Sequence, residues 1–255
     1  WVTDARTGAG SPWNLLANNG TPDNPADDRS PAQVQQTITR GYRLFLESLL
    51  SVDEAVQALV ERLDELGQLD DTIVIFTSDN GLSYGEHGFL AEKNEPYEES
   101  LRVPLLVRGP GFPAGATVDA PVADIDYAPT LVRATGATPG LVMDGLALQD
   151  VANRPEGYDD RAILIRNWPT STRPNSRIRH WEGVRTGRYT YLEVPETSSV
   201  ELYDRTIDPN QLDSVADLPE YDAVEAYLAG ILDQLRSCSG SSCDVRARPP
   251  EPATP

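Results

Sequence analysis

The sequence predicts an α/β chain in two parts: residues 1–140 with a mostly parallel sheet, then a smaller α+β region over 141–240 with an antiparallel sheet. Three observations predict it. A long helical stripe runs directly into an unbroken apolar strand. A second apolar run follows in the same region. Beyond residue 140 the apolar segments shorten, and a turn glycine separates two of them as in a hairpin.

The elements follow in order. Residues 1–30 are rich in Asn, Asp, Gly and Pro, without periodicity, and read as loop. Ser30-Pro31 offers a hydroxyl cap and a proline at the first helical position. Phe45, Leu49, Val52, Val56, Leu59, Leu63 and Leu66 then alternate steps of four and three, which makes one helix face, and Gly67 can end the helix. TIVIFT (72–77) is β-branched and aromatic with no polar alternation, as suits a parallel strand covered on both faces. VPLLVR (103–108) is a second such strand, stopped by Gly109-Pro110-Gly111. Residues 127–134 form a short helix with Gly136 near its end, and 162–166, 183–186 and 189–194 are shorter strands. Val224, Leu228, Ile231, Leu232 and Leu235 set a helix across 219–235. The closing segment 241–255, ending RARPPEPATP, is expected to be disordered.

Charge narrows the function. Forty acidic residues against 21 basic ones give a net charge of −19, so nucleic acid is not a partner through bulk electrostatics. An anionic substrate would need local neutralisation by a metal or a few cations. No apolar run approaches the ~18 residues of a transmembrane helix. The two cysteines, Cys238 and Cys243 in CSGSSC, are too few for a zinc cluster; a local disulfide between them would point to an exported protein.

The chemistry gathers where TIVIFT ends, in Ser78-Asp79-Asn80-Gly81. Ligand groups in α/β sheets collect beyond the carboxyl ends of strands. The Asp79 carboxylate and the Asn80 amide oxygen are hard donors suited to Ca²⁺ or Mg²⁺, and Gly81 would allow a sharp turn after them. Glu86, His87 and Lys93 return shortly afterwards. A divalent ion would polarise an ester oxygen, Lys93 would hold a peripheral oxygen, and His87 would donate a hydrogen bond or protonate a leaving group. Asp-Asn-Gly also makes an ordinary Asx turn, so the spacing permits a metal-assisted ester hydrolase without establishing one.

Residues 71–111, DTIVIFTSDNGLSYGEHGFLAEKNEPYEESLRVPLLVRGPG, carry more. With ADIDYAPTLV at 123–132 and ELYDRTIDPNQLDSVAD at 201–217, they resemble the C-terminal part of the catalytic domain of type I sulfatases, members of the alkaline-phosphatase-like superfamily. The resemblance implies a partial alkaline-phosphatase-like sandwich. It implies that Asp79 and Asn80 are two ligands of a divalent ion, usually calcium, and that Lys93 contacts the sulfate oxygens. His87 falls where relatives often carry an active-site histidine. Glu98, Glu99 and Arg102 would hold the Lys93 loop in place. The substrate implied is a sulfated small molecule or a sulfated carbohydrate, and the location secreted, periplasmic or lysosomal.

The family also uses a formylglycine made from Cys or Ser in C/S-x-P-x-R, and no such segment occurs in these 255 residues. Neither Asp27-Asp28 nor Asp70-Asp71 matches the paired aspartates of the family's first strand. The expectation is therefore the C-terminal half of a longer sulfatase, completed by its N-terminal half and inactive alone. The alternatives are a phosphodiesterase or phosphonate hydrolase of the same superfamily, and a noncatalytic binding scaffold. His180, Trp181, Arg177, Arg179 and Arg185 are further candidates for meeting an anionic or sugar substrate, although Trp181 suits packing under the small sheet better.

Overall fold

A computed structural model of the chain describes residues 31–88, 90–168 and 180–253. Asp27-Asp28, Arg177 and Arg179 lie outside the described residues. The chain forms two compact units, Trp1–Pro110 and Gly111–Pro255. The break falls at the Gly109-Pro110-Gly111 turn, so the compositional change near 140 lies inside the second unit.

In the first unit, α1 (Pro31–Glu65) begins at the proline and ends before Gly67, whose φ of 65° only glycine adopts freely. Its N-terminal half meets the chain near Tyr84, whose ring lies 5.4 Å from Tyr42 and 6.0 Å from Phe45. Leu49, Val52, Val56 and Leu59 of the same stripe stay 36–53% exposed, and Leu63 is half-buried. Periodicity reports which face of a helix is apolar, not what covers it. After α1 come β1 (Val74–Thr77), β2 (Ser83–Tyr84), β3 (Leu90–Glu92), α2 (Glu98–Leu101) and β4 (Leu105–Arg108).

The expected mostly parallel sheet is not what forms. β1 pairs with β4 antiparallel, from Val74 opposite Arg108 to Thr77 opposite Leu105. β2 and β3 are an antiparallel hairpin. Every strand pairing among the described residues is antiparallel. An unbroken apolar run signals burial on two faces and leaves strand direction open. Direction here is set by the connection: the β2–β3 hairpin and one turn of α2 bring the chain back along β1 the opposite way.

In the second unit, α3 (Tyr127–Thr135) ends at Gly136 with φ 65°, and α4 (Leu148–Asn153) follows. Then β5 (Ile163–Asn167), β6 (Trp181–Arg185), β7 (Tyr189–Val194) and β8 (Ser199–Asp204) form one antiparallel meander, closed by α5 (Asp222–Ser237). Val224, Leu228, Ile231, Leu232 and Leu235 pack from α5 onto Val184, Tyr189, Tyr191 and Leu202 of the sheet, and all are buried. The antiparallel character expected here holds. β8 was not anticipated, although Val200 and Leu202 alternate with polar neighbours. Cys238 and Cys243 form a disulfide just after α5, with Cα atoms 5.1 Å apart.

Two polar anchors fix this unit. Arg161, 2% exposed, bonds Asp126 through both terminal nitrogens at 2.6 and 2.8 Å. Asp204 receives Arg188 and Thr206; burial pushes its carboxyl up, but these bonds outweigh it and hold the group below the ordinary carboxylate range. The segment expected to be a disordered tail packs instead. Ala162 donates its N–H to the Val245 carbonyl at 2.9 Å, Ala247 donates to that of Asp160 at 2.6 Å, and Val245 and Ala247 are buried. Its prolines prevent a helix but not an extended strap whose apolar positions face a core.

Candidate active site

The predicted groups lie in the first unit, in the turn that ends β1 and in the hairpin that follows it. Ser78, Asp79 and Asn80 leave that strand at its carboxyl end. The Ser78 hydroxyl donates to the Asn80 carbonyl at 2.8 Å, tightening the turn. The Asn80 amide nitrogen donates to the Gly81 carbonyl at 2.8 Å, which leaves Oδ1 as the oxygen able to serve a cation. Asp79 is exposed at the same turn. Two adjacent hard oxygen donors fit part of a Ca²⁺ or Mg²⁺ shell, which takes six or more oxygens. No group of three or more His, Cys, Asp or Glu able to hold a metal occurs among the described residues. The pair therefore fits as a share of a site.

Gly81 has a role beyond turning the chain. Its N–H donates to the Ser100 carbonyl at 2.8 Å, and a Cβ there would lie 1.8 Å from the Glu99 carbonyl oxygen. Its φ is not positive, so the need is for close approach to α2. Gly81→Ala must push two backbone segments apart and is expected to cost roughly 1–3 kcal/mol, the usual cost of overpacking. Thermal melting of the variant against the parent chain checks this: an unchanged midpoint would mean that the contact is not made.

The β2–β3 hairpin sets Lys93. Ser83 pairs with Glu92, so Lys93 emerges one position beyond the last pair and returns to the segment that follows Asn80. It is exposed, and no carboxylate among the described residues pairs with it. A cation left unneutralised in a chain of net charge −19 is available to an anion.

His87 is held differently. Its backbone is left-handed, φ 51°, and its side chain is only 8% exposed. The ring stacks on Tyr97 with centroids 3.7 Å apart and planes 7° from parallel. Nε2 lies 3.6 Å from Glu99 Oε2, an ion-pair separation. Burial pushes the Glu99 carboxyl up, while His87 and the Glu99 backbone N–H outweigh that and hold it low. Glu99 thus lies against His87, a contact different from the expected one with the Lys93 loop. Glu95, 6% exposed, accepts from the Ser100 hydroxyl at 3.3 Å. Arg102 is exposed and makes no ion pair among the described residues. Tyr97 and Glu95, both buried under the site, were not singled out from the sequence; nothing in NEPYEES separates a buried acid from a surface one.

The other candidates lie in the second unit. Trp181 is 3% exposed and packs in the sheet, while His180 contacts Trp168 with ring centroids 4.4 Å apart.

Two oxygen donors thus follow the strand end, the hairpin after them leads into Lys93, and His87 packs on Tyr97 near Glu99. The chain matches the sulfatase family model over residues 14–137 and the model of the N-sulphoglucosamine sulphohydrolase C-terminal region over residues 85–238. It belongs to the type I sulfatase family, and it matches the C-terminal portion of that family. It is 34% identical to an arylsulfatase of Chlamydomonas reinhardtii, covering 94% of this chain and 42% of the alga's protein. The solved structure of BT4656 in complex with its substrate D-glucosamine-2-N,6-O-disulfate superposes with a TM-score of 0.74 at 27% identity, over 83% of this chain and 43% of that one. A phosphonate monoester hydrolase of Agrobacterium radiobacter superposes with a TM-score of 0.63 at 27% identity, over 78% of this chain and 43% of that one. The chain thus spans less than half the length of these relatives. No helix among the described residues is long and apolar enough to cross a membrane.

Proposed function

We propose that this chain is the C-terminal part of a metal-dependent sulfatase acting on a sulfated carbohydrate. The observation that supports the proposal is the β2–β3 hairpin, which pairs Glu92, the residue before Lys93, with Ser83, three residues after Asn80. Asp79 and Oδ1 of Asn80 would hold a divalent cation, calcium or magnesium, together with ligands from elsewhere in the protein. That cation supplies Lewis-acid polarisation of a sulfate oxygen. Lys93 binds a peripheral oxygen and offsets the charge that develops there. His87, fixed by Tyr97 and Glu99, serves as the proton-bearing group of the site. The nucleophile, a formylglycine in this family, lies outside these 255 residues, so the isolated chain is expected to be inactive. The Cys238–Cys243 disulfide supports an exported location: secreted, periplasmic or lysosomal.

The similarity to a phosphonate monoester hydrolase favours a second reading, a phosphonate or phosphodiester hydrolase on the same groups. Rates of the whole protein that carries this chain decide between them. Sulfate release from D-glucosamine-2-N,6-O-disulfate should exceed release from a phosphonate monoester by about 100-fold in kcat/KM, a difference of about 2.7 kcal/mol in transition-state stabilisation. A preference for the phosphonate would replace the first reading by the second. Turnover of neither would leave the noncatalytic scaffold.

A further inference from the structure

Beyond the active site, one exposed aromatic group stands apart. Trp168 follows β5 directly and is 66% exposed, the largest side chain on the surface of the second unit. It is not loose. The last pair of β5 and β6 is Asn167 opposite Trp181, and Trp168 and His180 continue that register by one position. Their rings meet with centroids 4.4 Å apart and planes inclined by 54°. His180 in turn has Nε2 3.6 Å from Glu182 Oε1. Glu182 is gripped by Arg236 of α5, whose Nε donates at 2.7 Å, and Arg236 also holds Glu193 at 2.6 Å. The chain of contacts from α5 to the indole supports one side of Trp168, whose side chain stays 66% exposed.

We propose that Trp168, braced by His180, is a carbohydrate platform: a flat site against which the C–H face of a hexosamine ring stacks. Burying a large indole against solvent costs a soluble domain nothing, yet this one is left exposed and immobilised at once. Rigid aromatic surface with a polar surround is what sugar-sized ligands use, because the ring gains contact area with little ordering cost. The sugar class rests on the sulfated-carbohydrate reading above. The platform itself adds a site that the ester chemistry does not require, since stacking acts on the ring and not on the sulfate.

Titration calorimetry of the 255-residue chain tests it, with D-glucosamine-2-N,6-O-disulfate, N-acetylglucosamine and inorganic sulfate as separate probes. Both sugars should bind the parent chain. Trp168→Ala should weaken both by about tenfold, equivalent to about 1.4 kcal/mol, and Trp168→Phe by less, with any binding of inorganic sulfate unchanged. Because the indole is exposed, melting temperatures should match the parent; if Trp168→Ala melts lower, the Trp168→Phe result decides. Equal sugar affinity in all three chains, or no sugar binding by the parent, would overturn the platform. So would a loss that inorganic sulfate shares, because stacking cannot produce it. Binding needs no turnover: sugar held through Trp168 without sulfate release by the whole protein sinks the sulfatase reading alone, and turnover with Trp168→Ala binding unchanged sinks the platform alone.

Discussion

Lys93→Ala lowers kcat/KM for a sulfate ester by about 100- to 1,000-fold, the loss typical of removing one preorganised group from a developing anion. The measurement is made in the whole protein that carries this chain. The lysine is exposed just beyond the open end of a two-strand hairpin, with no ion pair among the described residues, so its removal should leave the melting temperature within about 1 °C of the parent, as surface changes usually do. Lys93→Arg separates charge from geometry. A point charge on a flexible stem reaches one oxygen, whereas a planar fork demands two, so Arg restores the charge but less than a tenth of the rate. An alanine variant with parent kinetics would remove Lys93 from the chemistry.

Arg161→Met destabilises the second unit by about 3–5 kcal/mol, the usual loss when one partner of a buried ion pair is deleted. Asp126 is fully buried and then keeps only the N–H groups of Ala123 and Leu146, at 2.8 and 2.7 Å, against its charge. The carboxylate also ties the segment before α3 to the one before α4, so its loss loosens both. Urea unfolding followed by circular dichroism reads the shift. Adding Asp126→Asn to Arg161→Met removes the stranded charge but keeps an oxygen acceptor, and the double variant should recover part of the loss. If the double variant is the weaker one, the cost lies in lost packing of the arginine stem and not in the unpaired carboxylate.

Where Asp79 and Asn80 sit was legible because that placement is local. Asp79 and Asn80 are adjacent in sequence, directly after a strand, and the structure puts them there. Gly67 and Gly136 end their helices with φ 65°, as their positions suggested. The α5 stripe is buried at all five positions named. What failed depended on distant parts of the chain. The apolar runs of β1 and β4 carried no mark of strand direction, and the returning hairpin made the pair antiparallel. Gly81 looked like a turn residue, but its need comes from α2, nineteen or so residues on, whose backbone it touches. The bracing of His87 by Tyr97 and Glu99 joins two segments whose sequence gives no sign of facing each other. The closing segment looked disordered by composition, yet three backbone hydrogen bonds, from Ala162, Ala247 and Ala253, tie it down.

Calcium titration tests the central claim most directly: that Asp79 and Asn80 are a cation's ligands and not merely an Asx turn. Calorimetry on the whole protein, stripped by chelator, should show one site, with Asp79→Asn weakening it at least about 100-fold, or about 2.7 kcal/mol, and sulfate release falling in parallel. Calcium affinity unchanged in Asp79→Asn would contradict the account and return Ser78-Asp79-Asn80-Gly81 to an ordinary turn.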